Sequence, residues 1–254
     1  MANLNGKNVI ITGAAGGLGG EIARAAAAAG AAVAIFDVKG VDEAVANLKQ
    51  SGFKAVGVTV DVRDGKAVVA ATDEVARALG GVHILIAAAG GSLGTPRDLD
   101  EISEEDLDFV LDVNIKGTFN CARAAISHMK QNGGGSIVTF SSIGGRSASP
   151  VTGVPYAAAK AGLLGLTRRL AREVGNANIR VNAIAPGLFL TDRLQGMFDA
   201  LPEAERKEVL DSIPLGRMPQ LRECVEPVLF LASDESSYIT GVVLDVNGGR
   251  FMAG

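Results

Sequence analysis

The sequence predicts one α/β domain, a parallel sheet with helices on both faces. Three observations predict it. Short β-branched runs alternate with longer helix-like segments along the whole chain, and this is the pattern of a helix-covered parallel sheet. Several runs are apolar at every position, among them Val9-Ile10-Ile11 and Ile84-Leu85-Ile86, as strands covered on both faces are. Glycine supplies 33 of 254 residues, well above its usual share of about 7%, so turns are tight or backbones approach closely.

Taken in order, strands are expected at Lys7–Thr12, Ala32–Asp37, Lys54–Asp61, Val82–Ala87, Gly135–Phe140, Ile179–Ala185 and Val242–Val246. The helices expected between and after them are Leu18–Ala29, Val41–Ser51, Gly65–Leu79, Ser103–Gln131, Tyr156–Gly175, Pro202–Ser212 and Arg222–Leu231. Ser103 is placed to cap its helix, with Glu104 and Glu105 in the first turn favouring the helix dipole. No repeat, low-complexity tail or Pro/Ser-rich linker interrupts the alternation, so residues 1–254 read as a single domain.

Composition excludes several classes. A formal charge of −4 gives no basic field for nucleic acid or an anionic membrane. Cys121, Cys224, His83 and His128 are too isolated for a disulfide scaffold or a metal site, so no metal is expected. The polar start, Met1 to Lys7, does not read as a signal peptide. The longest apolar run, Ala25 to Phe36, is interrupted by Gly30 and falls short of the roughly 20 residues a membrane helix needs. A cytoplasmic protein of a reducing compartment is the expectation.

The first strand ends in Thr12-Gly13-Ala14-Ala15-Gly16-Gly17-Leu18-Gly19, and a helical pattern follows at once. Such a junction sets free backbone N–H groups and a helix N-terminus against a phosphate. No Gly-Lys-Ser/Thr follows, so it is not a Walker loop. Asp37 closes the second strand, 24 residues after Gly13, where a carboxylate accepts hydrogen bonds from an adenosine ribose and repels a 2′-phosphate. Lys39 is the only nearby cation. NAD is therefore expected over NADP. Asp61-Val62, ending the third strand, reads equally as an adenine contact or as a turn aspartate.

Tyr156 and Lys160 stand four apart at a helix start, within side-chain reach. A nearby ammonium favours a phenolate and is expected to lower the tyrosine pKa from about 10. A hydroxyl such as Ser142 could hold a substrate oxygen while the phenol exchanges its proton.

Together these residues resemble the short-chain dehydrogenase/reductase family along essentially the whole chain. The loop matches its Thr-Gly-x-x-x-Gly-x-Gly at Thr12, Gly13, Gly17 and Gly19. The family's catalytic Asn, Ser, Tyr and Lys look like Asn114, Ser142, Tyr156 and Lys160. Pro186-Gly187 through Thr191 is similar to its nicotinamide-contacting segment, and Ile239-Thr240-Gly241 leads to a similar C-terminal strand. The resemblance implies a doubly wound Rossmann-type domain with strand order 3-2-1-4-5-6-7 and a homotetramer. It implies cofactor contacts at Gly13, Gly17, Leu18, Gly19, Asp37, Asp61, Val62, Ala88, Gly90, Tyr156, Lys160, Pro186, Phe189 and Thr191. Tyr156 would be the acid/base, and Lys160 would lower its pKa and hold the nicotinamide ribose. Ser142 would orient the substrate oxygen, and Asn114 would hold a proton-relaying water or, alternatively, brace a helix kink.

Two departures stand out. The family's Asn-Asn-Ala-Gly is Ala87-Ala88-Ala89-Gly90 here. The interval from Ser142 to Tyr156 is 14 residues, one longer than the common family spacing, so Ser141 competes with the preferred Ser142. The added residue is placed in Gly144–Pro155, bordering the substrate.

Leu188 to Pro214 carries Leu188, Phe189, Leu190, Leu194, Met197, Phe198 and Leu201, which suit either a lid over the substrate or plain helix packing. Arg146 could hold an acidic group or a phosphopantetheine carrier, or simply be solvated. The expected activity is NAD-dependent interconversion of a secondary alcohol and a ketone, on a small, apolar substrate. The alternatives are a 3-oxoacyl-thioester reductase, a methyltransferase, which would need no Tyr156/Lys160 pair, and a catalytically silent dinucleotide sensor, which often lacks one of the two.

Overall fold

The computed structural model describes residues 2–148, 152–190, 195, 198–199 and 202–253. The strands are β1 (Asn8–Thr12), β2 (Ala32–Asp37), β3 (Ala55–Thr59), β4 (Ile84–Ala87), β5 (Gly135–Phe140), β6 (Ile179–Pro186) and β7 (Val243–Val246). The α-helices among the described residues are α1 (Gly17–Ala28), α2 (Val41–Gln50), α3 (Gly65–Leu79), α4 (Glu104–Leu111), α5 (Gly117–Gln131), α6 (Val154–Val174), α7 (Glu203–Asp211) and α8 (Arg222–Ala232).

The strands form one parallel sheet in the order β3-β2-β1-β4-β5-β6-β7, as the resemblance implies. Alternation along each strand explains the apolar runs. Val9, Ile11, Ile84 and Ile86 enter one core with Ile22 of α1 and Val225 and Val228 of α8. Ile10 and Leu85, between them in sequence, enter the other with Val68 and Val75 of α3 and Ala125 and Met129 of α5. Both faces are covered over the central strands, and exposure appears only toward the edges, as at Thr59 of β3.

Several boundaries depart from the sequence reading, and for three of them the structure gives a physical reason. The strand expected through Asp61 stops at Thr59, because its ladder partner β2 ends at Asp37 directly opposite. The helix expected over Ser103–Gln131 is divided into α4 and α5 by a π-helical turn, Asp112–Lys116. A π-turn carries an extra residue per turn, and here it lets the Asn114 side chain reach inward. Helix α6 starts two residues before Tyr156, with Pro155 in its first turn, where the missing N–H costs nothing. Ser103 caps α4 as expected, in a reciprocal box with Asp106. No helix of the described residues is long and apolar enough to cross a membrane.

Candidate active site

The carboxyl ends of the strands converge on one edge, the edge where doubly wound sheets bind ligands. At the end of β1, Gly13 has φ +67 and its N–H donates to the Phe36 carbonyl at 2.7 Å. A side chain on Gly13 would stand 2.8 Å from Ala89 Cα, and one on Gly19 would collide with the Gly13 carbonyl. Glycine at both positions lets α1 start close under the strand. Gly17 takes φ +54, and half-buried Leu18 packs on the core.

Asp37 binds the loop from the side. Its Oδ2 accepts from the Ala15 N–H at 3.0 Å and its Oδ1 from the Val38 N–H at 2.8 Å. Each carboxylate oxygen keeps further acceptor capacity. This junction fits a dinucleotide: α1 has no side-chain cap and no acidic residue in its first turn, and a Cβ on Gly16 would meet nothing within 4 Å. An anion is drawn to such an end.

Asp61 is held by Arg63, whose Nε and Nη2 donate to Oδ2 at 2.9 and 2.6 Å and whose N–H donates to Oδ1. Those hydrogen bonds outweigh burial and hold its carboxyl below the usual value. The cap of α3 is instead Asp64. Val62 is buried, and its carbonyl accepts from Asn120 Nδ2. After β4, Thr12 Oγ1 accepts from the Ala89 N–H at 3.0 Å, so a side chain of the glycine loop braces this strand end where both family amides are missing. Ala88 packs against the core beside it.

Asn114 is fully buried. Its Nδ2 donates to the Val110 carbonyl at 2.8 Å and the Gly91 carbonyl at 3.0 Å, and its Oδ1 accepts from the Gly91 N–H. The amide therefore braces the π-turn against the loop after β4. Gly90 has φ +146, and a side chain there would collide with Asn114 Oδ1 and lie 3.4 Å from Lys160 Nζ. The absent side chain keeps the space between those two groups open.

Lys160 and Tyr156 sit on the first turns of α6. Lys160 Nζ donates to the Phe140 carbonyl at 2.7 Å and lies 5.5 Å from the centre of the Tyr156 ring. Burial pulls its ammonium down to about 7. Burial also pushes the Tyr156 phenol up, partly offset by a hydrogen bond with the Ser142 hydroxyl. The phenol therefore stands above its usual value rather than below it as expected, because removal of the phenolate from water dominates. Ser142 Oγ also accepts from the Gly144 N–H at 3.1 Å, which leaves its proton to point toward the phenol or a bound oxygen. Ser141 does not compete: its Oγ donates to the Lys160 carbonyl at 2.8 Å.

Pro186 ends β6, half-buried, and the Gly187 N–H donates to the Val246 carbonyl. The Phe189 side chain is in the core, so its backbone is the part left for a ligand. Thr191 lies outside the described residues, as do Leu194, Met197 and Leu201 of the segment read as a lid. Arg146 is largely withdrawn from solvent, and Asp245 of β7 faces its Nε at 3.1 Å. Sequence reasoning missed this pairing, the Phe140 carbonyl and Thr152. The Thr152 hydroxyl would lie 3.2 Å from a methyl on Gly144, beside Ser142 and Tyr156.

A doubly wound sheet with a glycine loop under one strand and a Ser–Tyr–Lys cluster two strands away defines a dinucleotide-fold oxidoreductase. The family model described as Enoyl-(Acyl carrier protein) reductase matches residues 13–250. An uncharacterized short-chain type dehydrogenase/reductase of Sinorhizobium fredii is 42% identical, over 98% of this chain and 99% of its own. The 3-oxoacyl-[acyl-carrier-protein] reductase FabG of Thermotoga maritima is 38% identical, over 97% and 98%. A 7α-hydroxysteroid dehydrogenase solved with NADH and 7-oxo glycochenodeoxycholic acid superposes with a TM-score of 0.89 at 33% identity, covering 97% of this chain and 95% of that one. The chain belongs to the short-chain dehydrogenase/reductase family and is an oxidoreductase.

Proposed function

We propose that the chain is an NAD-dependent enzyme that interconverts a secondary alcohol and a ketone, with Tyr156 as the acid/base. The observation that carries this reading is the Ser142–Tyr156–Lys160 cluster at the carboxyl edge of the sheet, with Lys160 buried and Ser142 and Tyr156 half-buried above it. When bound, the nicotinamide supplies or accepts the hydride. The chain's own residues do the rest. Ser142, already accepting from Gly144, donates to the carbonyl oxygen and fixes it beside the phenol. Tyr156, its phenol pushed up by burial, carries its proton and gives it to that oxygen as the carbon is reduced. Lys160 holds the nicotinamide ribose and stabilises the phenolate left behind. Asn114 fixes the floor around Lys160, and a water beside Lys160 would carry the replacement proton.

Asp37 supports NAD: its carboxylate is held by Ala15 and Val38 where ribose hydroxyls can donate to it, and a 2′-phosphate would meet its charge. Gly13, Gly17, Leu18 and Gly19 would cradle the pyrophosphate. Asp61, Val62, Ala88 and Gly90 would border the adenosine and its ribose, while Pro186, Phe189 and Thr191 would border the nicotinamide. Residues 188–214 would cover a small, apolar substrate within a single domain. The exposed Leu107, Phe109 and Phe119 on α4 and α5, with the exposed Gly162 and Gly165 on α6, support a homotetramer joined through these helices. Ala122, Ala124 and Ala125 do not serve that contact, because they are buried against the chain's own sheet. A cytoplasmic location fits this chemistry.

The second reading, reduction of a 3-oxoacyl thioester, is favoured by the name and 38% identity of the Thermotoga maritima relative. Absorbance at 340 nm, followed with NADH and NADPH across ketones and 3-oxoacyl thioesters, separates the two. Turnover of ketones with NADH is expected. Turnover of thioesters alone, with NADPH preferred, would establish the second reading. Cofactor binding without any turnover would make the chain a sensor.

A further inference from the structure

Ser142 begins a single tight turn that ends on Arg146. The Gly145 N–H donates to the Ser142 carbonyl at 3.0 Å, and the Arg146 N–H donates to the Ile143 carbonyl at 3.0 Å. Gly145 lies flat on α6, where a side chain would come within 2.5 Å of the Lys160 backbone. One end of the turn is thus fixed by β5 and its middle by α6. The other end is closed within the turn by Ser147, whose N–H and hydroxyl donate to the Ile143 carbonyl at 3.0 and 3.1 Å, and it is tied to the rest of the fold through Arg146.

Arg146 is anchored to the far edge of the sheet. Its Nε faces Asp245 Oδ1 of β7, with only 16% and 21% of the two side chains exposed. Its guanidinium also lies 5.1 Å from the centre of the Phe251 ring. Phe251 in turn is held by Asn247, whose Oδ1 accepts from the Gly249 and Phe251 N–H groups and whose Nδ2 donates to the Phe251 carbonyl. The same turn touches two other segments beside the site: Val246 accepts from the Gly187 N–H, and Gly248 accepts from the Leu215 N–H.

The pair is poorly placed to serve stability alone. Neither Nε nor Oδ1 completes an aligned hydrogen bond, although both are buried. A partly desolvated pair without good hydrogen bonds adds little net stability, and specifying one conformation is the other use such pairs have. Burial raises the Asp245 carboxyl, and the Arg146 charge works against that shift.

We propose that Arg146 is a positioning residue for Ser142, tying the serine turn to β7 and the Asn247–Phe251 turn so that the serine hydroxyl faces Tyr156. This rests on the reading of Ser142 and Tyr156 as the carbonyl-binding pair. Arg146 itself touches none of the proposed reacting groups.

The test compares Arg146→Met, Arg146→Lys and the swapped pair Arg146→Asp/Asp245→Arg with the full-length wild type. The readouts are ketone reduction, NADH affinity by fluorescence and hydrogen exchange of residues 142–148 against β4 as control. Arg146→Met is expected to lower kcat about tenfold, leave the NADH Kd within about twofold and speed exchange in 142–148 alone. Arg146→Lys or the swapped pair should restore part of each. Wild-type kcat and exchange in Arg146→Met would overturn the proposal. So would faster exchange in β4 together with lost NADH affinity, which marks a merely structural residue. If the wild type reduces no ketone or thioester, the proposed activity fails, while exchange in 142–148 still decides whether Arg146 fixes the turn.

Discussion

Lys160 Nζ stands 5.5 Å from the centre of the Tyr156 ring and is held there by a 2.7 Å hydrogen bond to the Phe140 carbonyl. An ammonium so enclosed is poorly solvated, and its pKa falls to about 7 from 10.5. Between those two values the unfolded chain binds the proton more readily than the folded one. Stability therefore rises with pH across that window as far as this group is concerned.

It follows that Lys160→Met, which abolishes turnover and leaves the Phe140 carbonyl without its donor, gains stability relative to the wild type as pH falls toward 7.5. The gain shrinks as pH rises toward 10, because the wild-type penalty disappears there. Urea unfolding at pH 7.5 and 9.5 measures it. An equal difference at both pH values would remove Lys160 titration as the cause.

Asn114→Ala should lower stability. It leaves the Val110 carbonyl and both backbone groups of Gly91 without their side-chain partner. A loss of about 2–3 kcal/mol is expected from such buried, unpaired groups. Denaturant unfolding of the variant checks this, and a loss below about 0.5 kcal/mol would contradict the bracing role.

Asp37→Ser removes the charge beside the glycine loop and the acceptor for the Ala15 N–H. The kcat/KM with NAD should fall about tenfold, and the preference over NADP should narrow by at least as much, since a charge-assisted contact contributes about 1.5–3 kcal/mol. Kinetics with both cofactors test it. A wild type that already prefers NADP would contradict the assignment of Asp37.

The features legible in the sequence are those set by near neighbours. The apolar runs of β1 and β4 announce a sheet covered on both faces, and Ser103 with Asp106 announces the start of α4. The glycine loop and Asp37 were legible because their spacing follows from one strand–helix–strand unit. Contacts across long separations were not. The π-turn depends on Asn114 reaching Gly91, and Arg146 finds Asp245 only once β7 is laid at the sheet edge. The direction of the Tyr156 shift was also out of reach, since burial is a property of the folded site. Phe189 was legible as apolar, yet sequence could not say that its ring would join the core.

The central claim is that the Tyr156 phenol hands its proton to a carbonyl oxygen held by Ser142. Tyr156→Phe keeps the ring and removes only the hydroxyl, so its steady-state turnover and NADH affinity test the claim most directly. The account predicts a fall in kcat of about 100-fold or more, with the NADH Kd within about threefold of wild type. A kcat close to that of the wild type would contradict it.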